Sequence, residues 1–215
     1  RWAGDGVDAF APLNRNKRSI AIDYGNPAGA AALARLAQHA DVLVENHRPG
    51  TLVKHGLGPD DLRAANPRLI YCSISGFGVA GPRAGQSGFD LIAQGMSGIM
   101  SVTGEPGGDP CKVGVPIADL NAGTFATIGV LAALAARERT GVGQVVTTSL
   151  LEASLAYTVW EAMLWFQKGS VAEPGGSAHR LSAPYEAFRT SDGWITIAAP
   201  TPDAFAALCR ELGSE

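Results

Sequence analysis

Asp119 holds the place in this chain where a carboxylate could become chemically active. It follows the apolar run V-G-V-P-I-A over 113–118 and opens a long Ala-rich stretch of helical character. A helix start offers unpaired backbone N–H groups and the positive end of the macrodipole. Together these keep an acid ionised even where Val115, Ile117 and Leu120 exclude water. An ionised, poorly hydrated carboxylate can act as a nucleophile. Asp is also a favoured N-cap, and capping alone accounts for most acids at helix starts.

Other chemistry-bearing residues gather around glycines and strand ends. Glu45-Asn46-His47-Arg48-Pro49-Gly50 follows a short apolar strand, and open α/β sheets bind ligands beyond the carboxyl ends of their strands. His39 and His55 have no ligand spacing with His47, so a metal site is not indicated; a solvent-facing loop histidine is the plain alternative. Arg15, Lys17 and Arg18 form a basic cluster that is either a solvated turn or an attractor for phosphate groups. Gly76-Phe77-Gly78-Val79-Ala80-Gly81 matches G-x-G-x-x-G after a strand, which raises a nicotinamide dehydrogenase. Pro82, Gly85 and Gly88 follow at once and forbid the helix that motif needs, so the glycines more simply let backbone pass close to a ligand or a wall. Asp90, after Ser87-Gly88-Phe89, reads as the cap of a helix beginning at Leu91. No G-x-S-x-G is present and Cys72 lies within a strand pattern, so neither Ser nor Cys is placed as a nucleophile.

The elements that must position these groups alternate. Residues 18–24 have strand-like alternation, Asn26-Pro27 opens a helix to about residue 40, and D-V-L-V-E is a short strand. Pro59-Asp60-Asp61 starts a brief helix, and R-L-I-Y-C-S-I-S is a buried strand ending in the glycine-rich loop 76–88. Helices are expected over 90–100 and 119–139, a strand at Q-V-V-T-T-S, and one long apolar helix from Leu150 to Lys168, where Trp160, Met163 and Trp165 read as core or interface. Ser191-Asp192-Gly193 between two alternating runs predicts a hairpin. The fold class is α/β: a Rossmann-like, mostly parallel sheet in a large domain over 1–150, a helical linker over 151–176 and the start of a smaller α+β domain over 177–215.

Composition sets outer limits. The 215 residues are 46% hydrophobic and 17% charged, with mean hydropathy +0.08, which gives ample material for a core. A net charge of −3 argues against a nucleic-acid binder. Cys72, Cys111 and Cys209 lack disulfide or zinc spacing, which fits a reducing cytoplasm. No run suggests a membrane span, and the R-W-A-G-D-G opening is unlike a signal segment.

Six segments in order carry a wider likeness: N-R-N-K-R-S-I-A-I-D at 14–23, D-V-L-V-E-N-H-R-P-G at 41–50, Y-C-S-I-S-G-F-G at 71–78, G-F-D-L-I-A-Q-G-M-S-G at 88–98, S-V-T-G-E-P at 101–106 and the Asp119 segment. Together they resemble the family III CoA-transferases, a group that includes formyl-CoA transferase, the carnitine CoA-transferases and the 2-methylacyl-CoA racemases. The resemblance extends to P-Y-E-A-F-R-T-S-D-G-W-I-T-I-A at 184–198. It implies coenzyme A, carried as an acyl-CoA substrate, with no metal, and a small carboxylic acid as second substrate. It makes Asp119 the nucleophile that forms an aspartyl anhydride and then a thioester. It places Ile22, Asp23, Tyr24 and Gly25 at the nucleotide, Asn46, His47 and Arg48 along CoA, Lys54 at its phosphates, and Ser87, Gly88, Phe89 and Asp90 near the thioester. Racemases resembling this chain carry His directly before that Asp; Phe89 cannot exchange a proton, which favours a transferase. The resemblance further implies an interlocked homodimer, and segments before and after this chain, so that the chain reads as an internal fragment. A racemase or a non-catalytic acyl-CoA-binding fragment are the alternatives.

Overall fold

The computed structural model describes residues 10–214; the opening R-W-A-G-D-G stretch lies outside the described residues. A short turn of helix, α1 (Phe10–Leu13), precedes α2 (Pro27–Gln38). Asn26 caps α2 by accepting the Gly29 N–H at 2.9 Å, and Pro27 takes the first helical position, where its missing N–H costs nothing. The expected strand over 18–24 is absent. Ile20 stands 69% exposed and no described strand lies alongside, so the alternation has no ladder to join. Asp23 instead closes a local turn, accepting from Gly25 N–H at 2.9 Å and from the Asn26 amide at 3.1 Å.

The central sheet is parallel, in the order β1 (Val42–Glu45), β2 (Ile70–Ser75), β3 (Val145–Ser149). Val42 pairs with Ile70, and Tyr71 with Val145. The middle strand is buried almost throughout, as a strand covered on both faces must be. One cluster, Ala37, Leu52, Leu57, Leu62, Leu69 and Tyr71, packs α2 and α3 (Pro59–Ala65) against the sheet. The second consists of Ala93, Ala118, Ala122, Leu150 and Ala153. Its small side chains bring α4 (Asp90–Met96), α5 (Ile117–Thr140) and α6 (Leu150–Leu155) into close contact.

α4 stops earlier than expected because Gly98 turns left-handed at φ +85° just beyond it. α5 runs 24 residues and is apolar and long enough to span a membrane by length and composition, contrary to the sequence reading. It packs against β2, β3, α4 and α6 as the central helix of this unit. At its far end the buried Arg137 guanidinium donates to Asp41 Oδ1 at 2.9 Å and to the carbonyl of Arg68 at 3.0 Å. The expected helix over 150–168 is two, α6 and α7 (Val159–Lys168). They break at Thr158, whose hydroxyl donates to the Ser97 and Leu155 carbonyls. Trp160, Met163 and Trp165 are not core: they stand 66%, 43% and 54% exposed. The hairpin is present as antiparallel β4 (Tyr185–Arg189) and β5 (Trp194–Ala198), followed by α8 (Pro202–Leu212).

Candidate active site

A cleft of about 420 Å³ opens where β1, β2 and β3 end. Asn46, His47, Arg48 and Pro49 from the loop after β1 form one side, and Gln86, Ser87, Gly88 and Phe89 the other. The end of β2 (Ile74, Ser75, Gly76), Leu150 after β3, and Asp119 and Gly123 of α5 complete it. Every wall therefore comes from the carboxyl edge of the sheet, where strand ends splay and backbone polar groups go unpaired.

Two backbone features hold the loops. Glu45 accepts from the His47 N–H at 2.8 Å and from the Ser73 hydroxyl, which folds the β1 loop back over β2. Gly76 and Gly88 cross in direct contact: a Cβ on Gly88 would lie 2.2 Å from Gly76 Cα, and one on Gly76 would lie 2.4 Å from Gly88 Cα. Only paired glycines permit that approach. No helix begins in the loop; the next is α4 at Asp90, so the dinucleotide fingerprint lacks its required context.

Asp119 is the third residue of α5, not its cap, because the helix begins at Ile117 after Pro116. Asp90 supplies the cap from another helix, its Oδ1 accepting the Ala118 N–H at 2.8 Å. Asp90 was expected to cap its own helix, but it is the first residue of α4, and Phe89 at the cap position makes no side-chain bond. Its other oxygen accepts from Gln94 Nε2 at 2.7 Å, and Gln94 Oε1 accepts the Val113 N–H at 2.8 Å. Gln94 is fully buried, with donor and acceptor both used. Burial first, and then the negative charge of Asp90, push the Asp119 carboxyl above the ordinary range. The expected water-excluding walls are open, with Val115 49% and Leu120 51% exposed, and Asp119 itself faces the cleft exposed. The shift thus runs opposite to the ionised form that a helix start was expected to favour.

The cleft gathers Asn46, His47, Arg48, Ser87, Gly88, Phe89 and Asp119, with Asp90 directly behind. It does not include Ile22, Asp23, Tyr24, Gly25 or Lys54. Tyr24 reaches its edge through ring contacts with His47 at 5.8 Å and His55 at 5.5 Å between centroids. Gln86, Ile74, Leu150 and Gly123 were missed. Leu150 was open to the strand-end rule, and Gly123 to the i, i+4 relation with Asp119, which shares a helix face.

The sequence model of CoA-transferase family III matches residues 2–215. The chain belongs to that family. A succinate–glutarate CoA-transferase of Agrobacterium fabrum is 43% identical over 204 residues, covering 95% of this chain and 51% of the relative. A succinyl-CoA–D-citramalate CoA-transferase of Chloroflexus aurantiacus is 41% identical over 204 residues, 94% of this chain and 50% of its own length. A solved CAIB/BAIF family protein from Brucella suis superposes with TM-score 0.83 at 42% identity, covering 93% of this chain and 53% of that one. The family III chain thus spans about half the length of the relatives it matches. Directly before Asp90, it presents Phe89 at the cleft rim, 69% exposed.

Proposed function

We propose that the protein of which this chain is part moves CoA from an acyl-CoA donor to a small carboxylic acid, with Asp119 as the covalent nucleophile. The observation that carries this reading is Asp119 open to a cleft at the sheet edge, with the Asp90 carboxylate fixed on the neighbouring Ala118 N–H. A carboxylate so destabilised is a stronger nucleophile than one in water. Its oxygen attacks the thioester carbonyl, and loss of CoA thiolate leaves an aspartyl–acyl anhydride. The thiolate then attacks the aspartyl carbonyl, giving an aspartyl-CoA thioester and releasing the donor acid. The acceptor carboxylate attacks that thioester, regenerating an anhydride and thiolate. Attack of the thiolate on the acceptor carbonyl yields the new acyl-CoA and free Asp119. Each step develops an oxyanion, and N–H groups of a glycine-rich loop are suited to receive one.

The names of the relatives, which pair succinate with glutarate and succinyl-CoA with D-citramalate, support a small acid here. Arg48 and His47 in the cleft, with Tyr24 against His47 at its edge, suit the polar length of CoA, and Lys54 is the cation proposed for its phosphates. Exposed aromatic side chains, Trp160, Phe166 at 78% and Trp194 at 70%, are of the kind a partner copy would cover. Free cysteines fit a cytoplasmic setting. The test is chemical trapping: the intact enzyme incubated with acyl-CoA and then hydroxylamine becomes modified at Asp119, because anhydrides and thioesters react while free carboxylates do not. Modification elsewhere, or none, overturns the reading.

A further inference from the structure

Helix α5 contains two glycines, Gly123 and Gly129. Glycine is a poor helix former, so each position calls for a reason. At Gly129 the reason is packing, since a Cβ there would stand 2.6 Å from Val146 Cγ1 on β3. Gly123 has no such neighbour: a Cβ built on it meets no atom within 4 Å. It is nevertheless half-buried and lines the cleft beside Asp119, one turn further along the same helix face. Ile74 and Leu150 bound that space with apolar surface. The chain therefore keeps an unfavourable helix residue where it gains no packing, at a place where a side chain would project into the cleft beside Asp119.

We infer that Gly123 is a specificity-determining residue, whose missing side chain leaves the space occupied by the acyl chain of the CoA thioester. The inference rests on the proposed role of Asp119. Attack requires the thioester carbonyl carbon within about 3–3.5 Å of the carboxylate. The next helical turn lies about 5.4 Å along the axis. An acetyl group ends short of that turn, whereas the four carbons of a succinyl group cross it and lie over Gly123. A methyl group placed there collides with the longer acyl chain and spares the shorter.

The experiment compares wild type and Gly123→Ala in the intact enzyme, with acetyl-CoA and succinyl-CoA as probes. The readouts are the rate of hydroxylamine-trapped modification, the dissociation constant of each thioester, the melting temperature and the subunit count. The expected result is a loss of about tenfold or more with succinyl-CoA and less than about twofold with acetyl-CoA. The melting temperature should match or exceed wild type, because alanine is the better helix former and meets no clash. Equal rates with both probes, or equal losses with both, overturn the inference. A lowered melting temperature or a changed subunit count also overturns it, by showing that the glycine serves packing or assembly. If wild type traps no modification with either probe, the Asp119 reading falls separately. The inference is then decided by binding, and an unchanged ratio of the two dissociation constants in Gly123→Ala overturns it.

Discussion

Ala118 gives its backbone N–H to the carboxylate of Asp90, 28 residues earlier in the chain, at 2.8 Å. This single bond separates two tasks that an acid at a helix start usually combines. Asp90 satisfies an unpaired donor in the first turn of α5, so Asp119 is free to face the cleft. The same bond holds a second negative charge close behind Asp119, which adds to partial desolvation in raising its carboxyl.

That elevation has a sign for stability. A native-state pKa above the unfolded value means that the folded protein binds more protons, so stability declines as pH rises from the ordinary carboxylate range through the raised value. Asp119→Asn carries no such burden. At pH 7 the variant should melt at or above the wild-type temperature, and the gap should narrow as pH is lowered toward about 4. Transfer should fall by about three orders of magnitude or more, since the variant lacks the proposed covalent nucleophile. Melting curves over a pH series, with rates measured in parallel, check both halves; a variant that keeps substantial transfer contradicts the mechanism.

The carboxylate of Asp90 and the amide of Gln94 should be exchangeable only together. Gln94→Glu alone sets two acceptors against each other at a 2.7 Å contact in a fully buried position, at a cost of about 1–3 kcal/mol or more. Combining it with Asp90→Asn restores a donor between the two residues and still leaves oxygens for the Ala118 and Val113 N–H groups. Denaturant midpoints of the two single variants and the double variant give the coupling, which should recover most of the loss.

Local signals carried much of the architecture. Asn26-Pro27 announced α2, the apolar runs gave β1, β2 and β3, and Ser191-Asp192-Gly193 gave the hairpin. What failed was whatever depends on a distant partner. The 18–24 segment alternates correctly but meets no neighbouring strand. Thr158 divides α6 from α7 through a hydroxyl bond to Ser97, 61 residues away, beneath an unbroken apolar pattern. Gly123 was legible in principle from its spacing to Asp119, but its significance needed the empty volume beside it.

The Gly76–Gly88 crossing predicts a sharp asymmetry among glycine substitutions in one loop. Gly88→Ala forces backbone against backbone at 2.2 Å and should cost about 1–3 kcal/mol while displacing Ser87 and Phe89 from the cleft. Gly85→Ala meets nothing within 4 Å and should lie within about 0.5 kcal/mol of wild type. Equilibrium unfolding of both variants, together with CoA binding, separates the two cases.

Phe89→His should not create a racemase. The side chain sits 69% exposed at the cleft rim, where an imidazole keeps close to its ordinary pKa and no neighbour fixes its tautomer. Wild type and variant should both leave the α-proton of a 2-methylacyl-CoA unexchanged in heavy water on the timescale of transfer. Deuterium uptake by wild type at a comparable rate contradicts the transferase assignment.

Helix α5 is fastened at both extremities, by Asp90 at Ala118 and by the Arg137 guanidinium on Asp41 and Arg68. Between those fastenings it acts as a strut of roughly 36 Å, on the usual rise for 24 residues. A strut held so resists both sliding and turning about its axis. Asp119, in its first turn, thus belongs to the fixed bank of the cleft, and Gln86, Ser87 and Phe89 face it from irregular backbone. In mechanical terms the helix is the anvil of the cleft, set against a bank that has no helix or strand of its own.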